Sequence, residues 1–179
     1  NYYLVGKSKT DIILSINKTK QLKTFKTKST TVYTDLFPLE IDYDAATSIL
    51  NRELLFIEKF LGKYPHNEIY VDKITQSKDP VYGLSQLPSF LRPFSDSFKW
   101  DVTMFKALSR KYIENTLLLN KRDDYWILDG LQNYLMLEYV QEFYPDTKLL
   151  GEISNKWFLK NYHISKQNFN DKYPLIHQF

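Results

Sequence analysis

Trp126-Ile127-Leu128-Asp129-Gly130, read together with the earlier Lys106-Ala107-Leu108-Ser109-Arg110, decides how this chain is understood. Both stretches sit in segments with helical spacing. From Asp101 to about Leu119, the residues Val102, Phe105, Leu108, Tyr112 and Leu119 recur on one helical face. Lys106 and Arg110 are one turn apart and lie away from that face. Asn120 to Asp124 makes a polar turn, with aspartates able to cap the next helix. The segment 125–143 is apolar nearly all round, as a buried central helix would be. Asp129 shares one of its faces with Asn133, Met136 and Val140, so its carboxylate is expected to be buried. A buried carboxylate without a partner is costly. A cation is therefore expected near it, from Arg110 or Lys106. The competing reading of the two cations is an ordinary solvated surface.

Working outward, the first third reads as β-structure. Asp11 to Ile16 and Thr30 to Thr34 are strand candidates, both rich in β-branched residues. A helix is expected from Asp44, capped by that residue, with Ile49, Leu50, Leu54, Ile57 and Leu61 at helical spacing. Gly62 and Pro65 supply its stop signal. Glu68 to Asp72 reads as a short strand. Pro80, Gly83, Pro88 and Pro93 punctuate residues 75–100, which are expected to be an irregular loop. Pro145 and Asp146 introduce a last amphipathic helix through about Trp157, followed by a loop-like tail. The expectation is one α+β domain over 1–179, strand-rich with one helix over 1–75, a loop over 76–100, and helical over 101–179. The opening Asn1-Tyr2-Tyr3, without methionine, fits a fragment of a larger multidomain protein.

Composition narrows the function classes. The net charge of +3 is uneven: residues 1–30 hold seven lysines against Asp11 alone, or +6, which leaves −3 for the rest. A basic end can bind nucleic acid by releasing counterions. These lysines, however, alternate with Thr, Ile and Leu and include no arginine, which favours a lysine-decorated sheet edge. The chain has no cysteine, so disulfides, thiolate nucleophiles and cysteine-based zinc sites are excluded. His66, His163 and His177 have no metal-ligand spacing. No apolar run approaches the length of a membrane span. Nothing in the composition fixes a compartment.

The two stretches quoted first resemble the zinc signature of aminopeptidase N-type metallopeptidases, in which an HExxH helix is followed by a W-L-N-E-G segment. The order of strands, helix, strand, loop and paired helices resembles that family's thermolysin-like (gluzincin) catalytic domain. The resemblance places the first histidine at Lys106, the general base at Ala107, the second histidine at Arg110 and the third ligand at Asp129. Tyr82-Gly83-Leu84-Ser85-Gln86-Leu87 looks like the family's G-x-M-E-N substrate loop, with Gln86 where a glutamate would hold the substrate's free amino group. In that family the transition-state tyrosine and the closing helical domain would fall past the position of Phe179.

These replacements matter chemically. Two histidines four apart share a metal, and the glutamate between them deprotonates the bound water. Lysine and arginine repel a dication, alanine takes no proton, and one carboxylate alone does not hold zinc. The resemblance thus implies a non-catalytic domain without zinc or other cofactor, with Arg110 standing in for the metal's charge beside Asp129. It would act as a scaffold or as a peptide- or protein-binding module, with Tyr82, Gly83, Leu84, Ser85 and Gln86 as the candidate peptide edge. Other domains of the same parent chain are expected partners. The alternatives are a divergent zinc-dependent aminopeptidase and, in last place, a nucleic-acid binder using residues 1–30.

Overall fold

A computed structural model describes residues 22–37, 41–81, 94–120 and 123–145. Their order is β1 (Lys23–Lys26), β2 (Thr31–Thr34), α1 (Tyr43–Leu61), β3 (Glu68–Val71), α2 (Lys73–Lys78), α3 (Asp96–Thr116) and α4 (Tyr125–Phe143). The architecture is α+β: a small three-stranded sheet combined with a mainly helical second half. The expected strand at 11–16, helix at 146–157, loop at 82–87 and tail lie outside the described residues.

The sheet has the order β1-β2-β3. β1 and β2 form an antiparallel hairpin, closed where the Thr27 amide donates to the Thr30 carbonyl at 3.1 Å. β2 and β3 are parallel, which requires a crossover, and α1 supplies it. Register then does the sorting. Phe25 pairs with Val32 and Val32 with Ile69, placing three fully buried apolar side chains in a row on one face. On the opposite face Tyr33 and Tyr70 stack at 4.7 Å. β1 is an edge of the described sheet and carries Lys23 and Lys26, the arrangement read from the lysine alternation.

The helices form the other half of the core. α1 buries Leu50, Leu54 and Ile57; α3 buries Met104, Phe105, Leu108 and Tyr112; α4 buries Leu128, Leu135 and Tyr139. α3 contacts both α1 and α4 and also meets β3. Trp100 fastens the start of α3 to the sheet side by donating its indole N–H to the Leu36 carbonyl. Among the described residues, no helix is long and apolar enough to cross a membrane.

Three expectations need correction. The cap of α1 is Asp42, whose backbone is extended and whose side chain accepts from the Asp44 amide at 3.1 Å. Asp44 lies inside the first turn, where its charge favours the positive end of the helix dipole. Both ends of the expected 75–100 loop are helical, since α2 occupies Lys73–Lys78 and α3 begins at Asp96 rather than Asp101. Ser95 caps α3 by accepting from the Phe98 amide, and a satellite cluster of Phe94, Phe98 and Val102 against Val81, Met136, Val140 and Tyr144 holds that extra turn. Finally, α4 is not buried all round. It turns Leu128, Gln132, Leu135 and Tyr139 inward at helical spacing and leaves Trp126, Tyr134 and Leu137 about half exposed.

Gly62 ends α1 with φ 77° and ψ −173°, a region open in practice only to glycine. Its amide donates to the Glu58 carbonyl at 2.9 Å, and its carbonyl accepts from the Tyr112 hydroxyl at 2.8 Å. A Cβ there would meet nothing within 4 Å, so the cost of adding one is purely conformational. Gly62→Ala is expected to lower stability by about 2 kcal/mol in urea unfolding. A loss below about 0.5 kcal/mol would mean that the turn relaxes without strain.

Candidate functional site

The seam between α3 and α4 brings Arg110 and Asp129 together. The Arg110 Nη1 lies 2.7 Å from the Asp129 Oδ1, with the side chains only 18% and 25% exposed. The same guanidinium donates through Nε to Glu114 Oε1 at 3.2 Å, one turn along α3. Nη1 also lies 3.4 Å from the Gln132 Oε1, and the group sits over the Tyr125 ring at 5.4 Å. Arg110 is thus held by two carboxylates, an amide and an aromatic face, and its planar fork suits several acceptors at once. The Arg110–Asp129 pairing is the one expected.

Lys106 goes elsewhere. Its Nζ donates to Asp79 Oδ1 at 2.6 Å and to the Pro80 carbonyl at 2.9 Å, anchoring the chain just after α2 to the middle of α3. Its backbone carbonyl accepts from Gln132 Nε2 at 2.8 Å. Gln132 therefore ties α4 to both Lys106 and Arg110. Ala107, between them, is half-buried and packs against the main core. The solvated-surface reading of the two cations is corrected by their burial and ion pairs.

These positions do not fit zinc. Lys106 and Arg110 are committed to carboxylates and carbonyls, Ala107 has no donor atom, and Asp129 already neutralises a cation. Among the described residues, no group of three or more His, Asp or Glu is placed to hold a metal. His66 is exposed and meets the Tyr64 ring edge-on at 5.6 Å; His163 and His177 lie outside the described residues. The candidate peptide-binding residues Tyr82, Gly83, Leu84, Ser85 and Gln86 also lie outside them.

A second polar cluster, not anticipated from the sequence, lies where α1, α3 and α4 meet. Asp101 is buried one turn into α3 and accepts from three donors: Arg52 on α1, the Tyr144 hydroxyl, and the Tyr139 hydroxyl at 2.7 Å. Arg52 also donates through Nε to the Tyr139 oxygen and through Nη2 to the Tyr144 oxygen, each at 3.1 Å. Burial, followed by the charge of Glu53 and of Asp101, pushes the Tyr139 phenol up, so it serves as a hydrogen-bond donor. Burial, followed by the bond to Asp101, raises Tyr144 to about 12. Only the i,i+4 pairing of Asp101 with Phe105 on a helix hinted that Asp101 would face inward.

Compared with known protein families, curated proteins and solved structures, the chain has no match.

Proposed function

We propose that this chain is a non-catalytic, aminopeptidase-like domain of the thermolysin-like type, in which an arginine–aspartate pair takes the place of the metal. The observation that carries this reading is the 2.7 Å contact between Arg110 and Asp129, 19 residues apart on adjacent helices. In the family, the second histidine and the glutamate ligand stand at that spacing and converge across the same kind of helix pair. Here a guanidinium supplies the positive charge that keeps the carboxylate's burial tolerable. Ala107 at the position of the general base leaves no group to activate water. The domain would then act as a scaffold or as a module that holds a peptide or protein, with residues Tyr82 to Gln86 as the candidate edge for an extended chain.

Metal analysis of the purified protein, paired with an aminoacyl-reporter assay, tests the reading. The expected result is far less than one zinc per chain and no chelator-sensitive hydrolysis. Stoichiometric zinc with chelator-sensitive turnover would establish the divergent aminopeptidase instead. A variant carrying K106H, A107E, R110H and D129E together tests the frame itself. It is expected to take up one zinc per chain, since histidines four apart on a helix project from one face toward a facing carboxylate. A folded variant that binds no zinc would remove the family reading.

A further inference from the structure

Glu53 sits in the apolar stripe of α1, between Leu50 and Ile57, and is fully buried. Among the described residues, no donor reaches either of its carboxyl oxygens. Among the described residues, the charged and titratable groups that bear on it are Arg52 on its own helix, Asp101 on α3, and Tyr139 on α4, with Tyr144 reaching the same Asp101. The cluster thus holds two buried carboxyls and one cation. Arg52 is already spent on Asp101 and on the two phenol oxygens. Two bare carboxylates cannot bond to each other, because neither can donate. One proton converts them into a donor and an acceptor and brings the cluster to neutrality.

We propose that Glu53 carries a proton in the native protein at neutral pH, shared toward Asp101, and that losing it at alkaline pH releases α1 from the α3–α4 pair. The step is a simple ionisation: the Glu53 O–H bond breaks, its electrons stay on the carboxylate, and the proton passes to solvent. A buried, uncompensated negative charge then remains beside Asp101 where the three helices meet. Burial first, and the Asp101 charge second, hold the Glu53 carboxyl well above its ordinary value of 4.5. This raised value sets the direction of the linkage. The contribution of the proton to stability is complete below that ordinary value and is lost as pH rises through the folded value.

Urea unfolding of the whole chain from about pH 5 to about pH 9 reads the effect, because one proton released per ionising molecule changes the folding constant by up to about tenfold per pH unit. The wild type is expected to lose stability along this series. E53Q, a neutral isostere that can still donate to Asp101, is expected to give a flatter profile and to exceed the wild type at the alkaline end. Infrared spectroscopy of the wild type at neutral pH is expected to show a protonated-carboxyl band that disappears in alkali, whether or not E53Q folds. No such band in the wild type, or an unchanged pH slope in a folded E53Q, overturns the proposal.

Discussion

Arg52→Ala is expected to cost about 3 kcal/mol of stability, the lower end of what breaking a buried ion pair removes. The lower end applies because the Arg52 side chain is 32% exposed, so solvent screens part of its attraction for the fully buried Asp101. The substitution strips a buried carboxylate of its cation and leaves it to neutral donors such as the hydroxyls of Tyr139 and Tyr144. The loss also includes packing, since the guanidinium lies over the Phe143 ring at 4.8 Å and over Tyr139 and Tyr144 at 5.6 Å. Arg52→Lys is therefore expected to recover little, because an ammonium cannot present a planar fork to Asp101 and two phenol oxygens together. Tryptophan fluorescence in a urea series gives the number. A loss below about 1 kcal/mol for Arg52→Ala would show a solvent-screened contact instead of a structural one.

Phe105→Ala is expected to cost about 4 kcal/mol, more than the arginine truncation. Phe105 is fully buried in the middle of α3, stacked on Tyr139 of α4 at 3.9 Å and edge-on to Phe56 of α1 at 5.7 Å. Removing the ring opens a cavity on three helices at once, and none can close it without moving away from the other two. The melting temperature should fall by roughly 10 °C for a chain of this size. Phe105→Leu, which fills most of the space, should restore the larger part. If alanine costs no more than leucine, the three helices are collapsing around the gap and their packing is loose.

The two substitutions act on different parts of one junction. Phe105 supplies its apolar contacts; Arg52, Asp101, Tyr139 and Tyr144 supply its polar ones. The Arg110–Asp129 pair lies along the same α3–α4 seam, about two turns further along α3. The junction fixes α3 against α1 and α4 beside that pair.

Much of this could be read along the chain, because local physics is periodic. The apolar spacing of Leu50, Leu54 and Ile57, the Gly62 stop and the run from Tyr125 to Phe143 marked α1 and α4 to within a few residues. Thr31–Thr34 and Glu68–Val71 were recognisable as strands from β-branched and aromatic residues. The pairing of Arg110 with Asp129 was expected from the cost of burying a carboxylate together with the charged residues at the positions that the resemblance aligns. Other features were settled only by tertiary contacts. Asp42 and Asp44 are both competent caps, and backbone conformation decided between them. The first turn of α3 depends on Phe94 and Phe98 meeting Met136, Val140 and Tyr144, some 40 residues away. Lys106 pairs with Asp79, which only the fold brings to the middle of α3. Glu53 and Asp101 share no sequence pattern; each sits on a helix face whose burial depends on what packs opposite. Periodicity is a property of neighbours along the chain, whereas the partner of a buried charge is set by which elements the fold brings together.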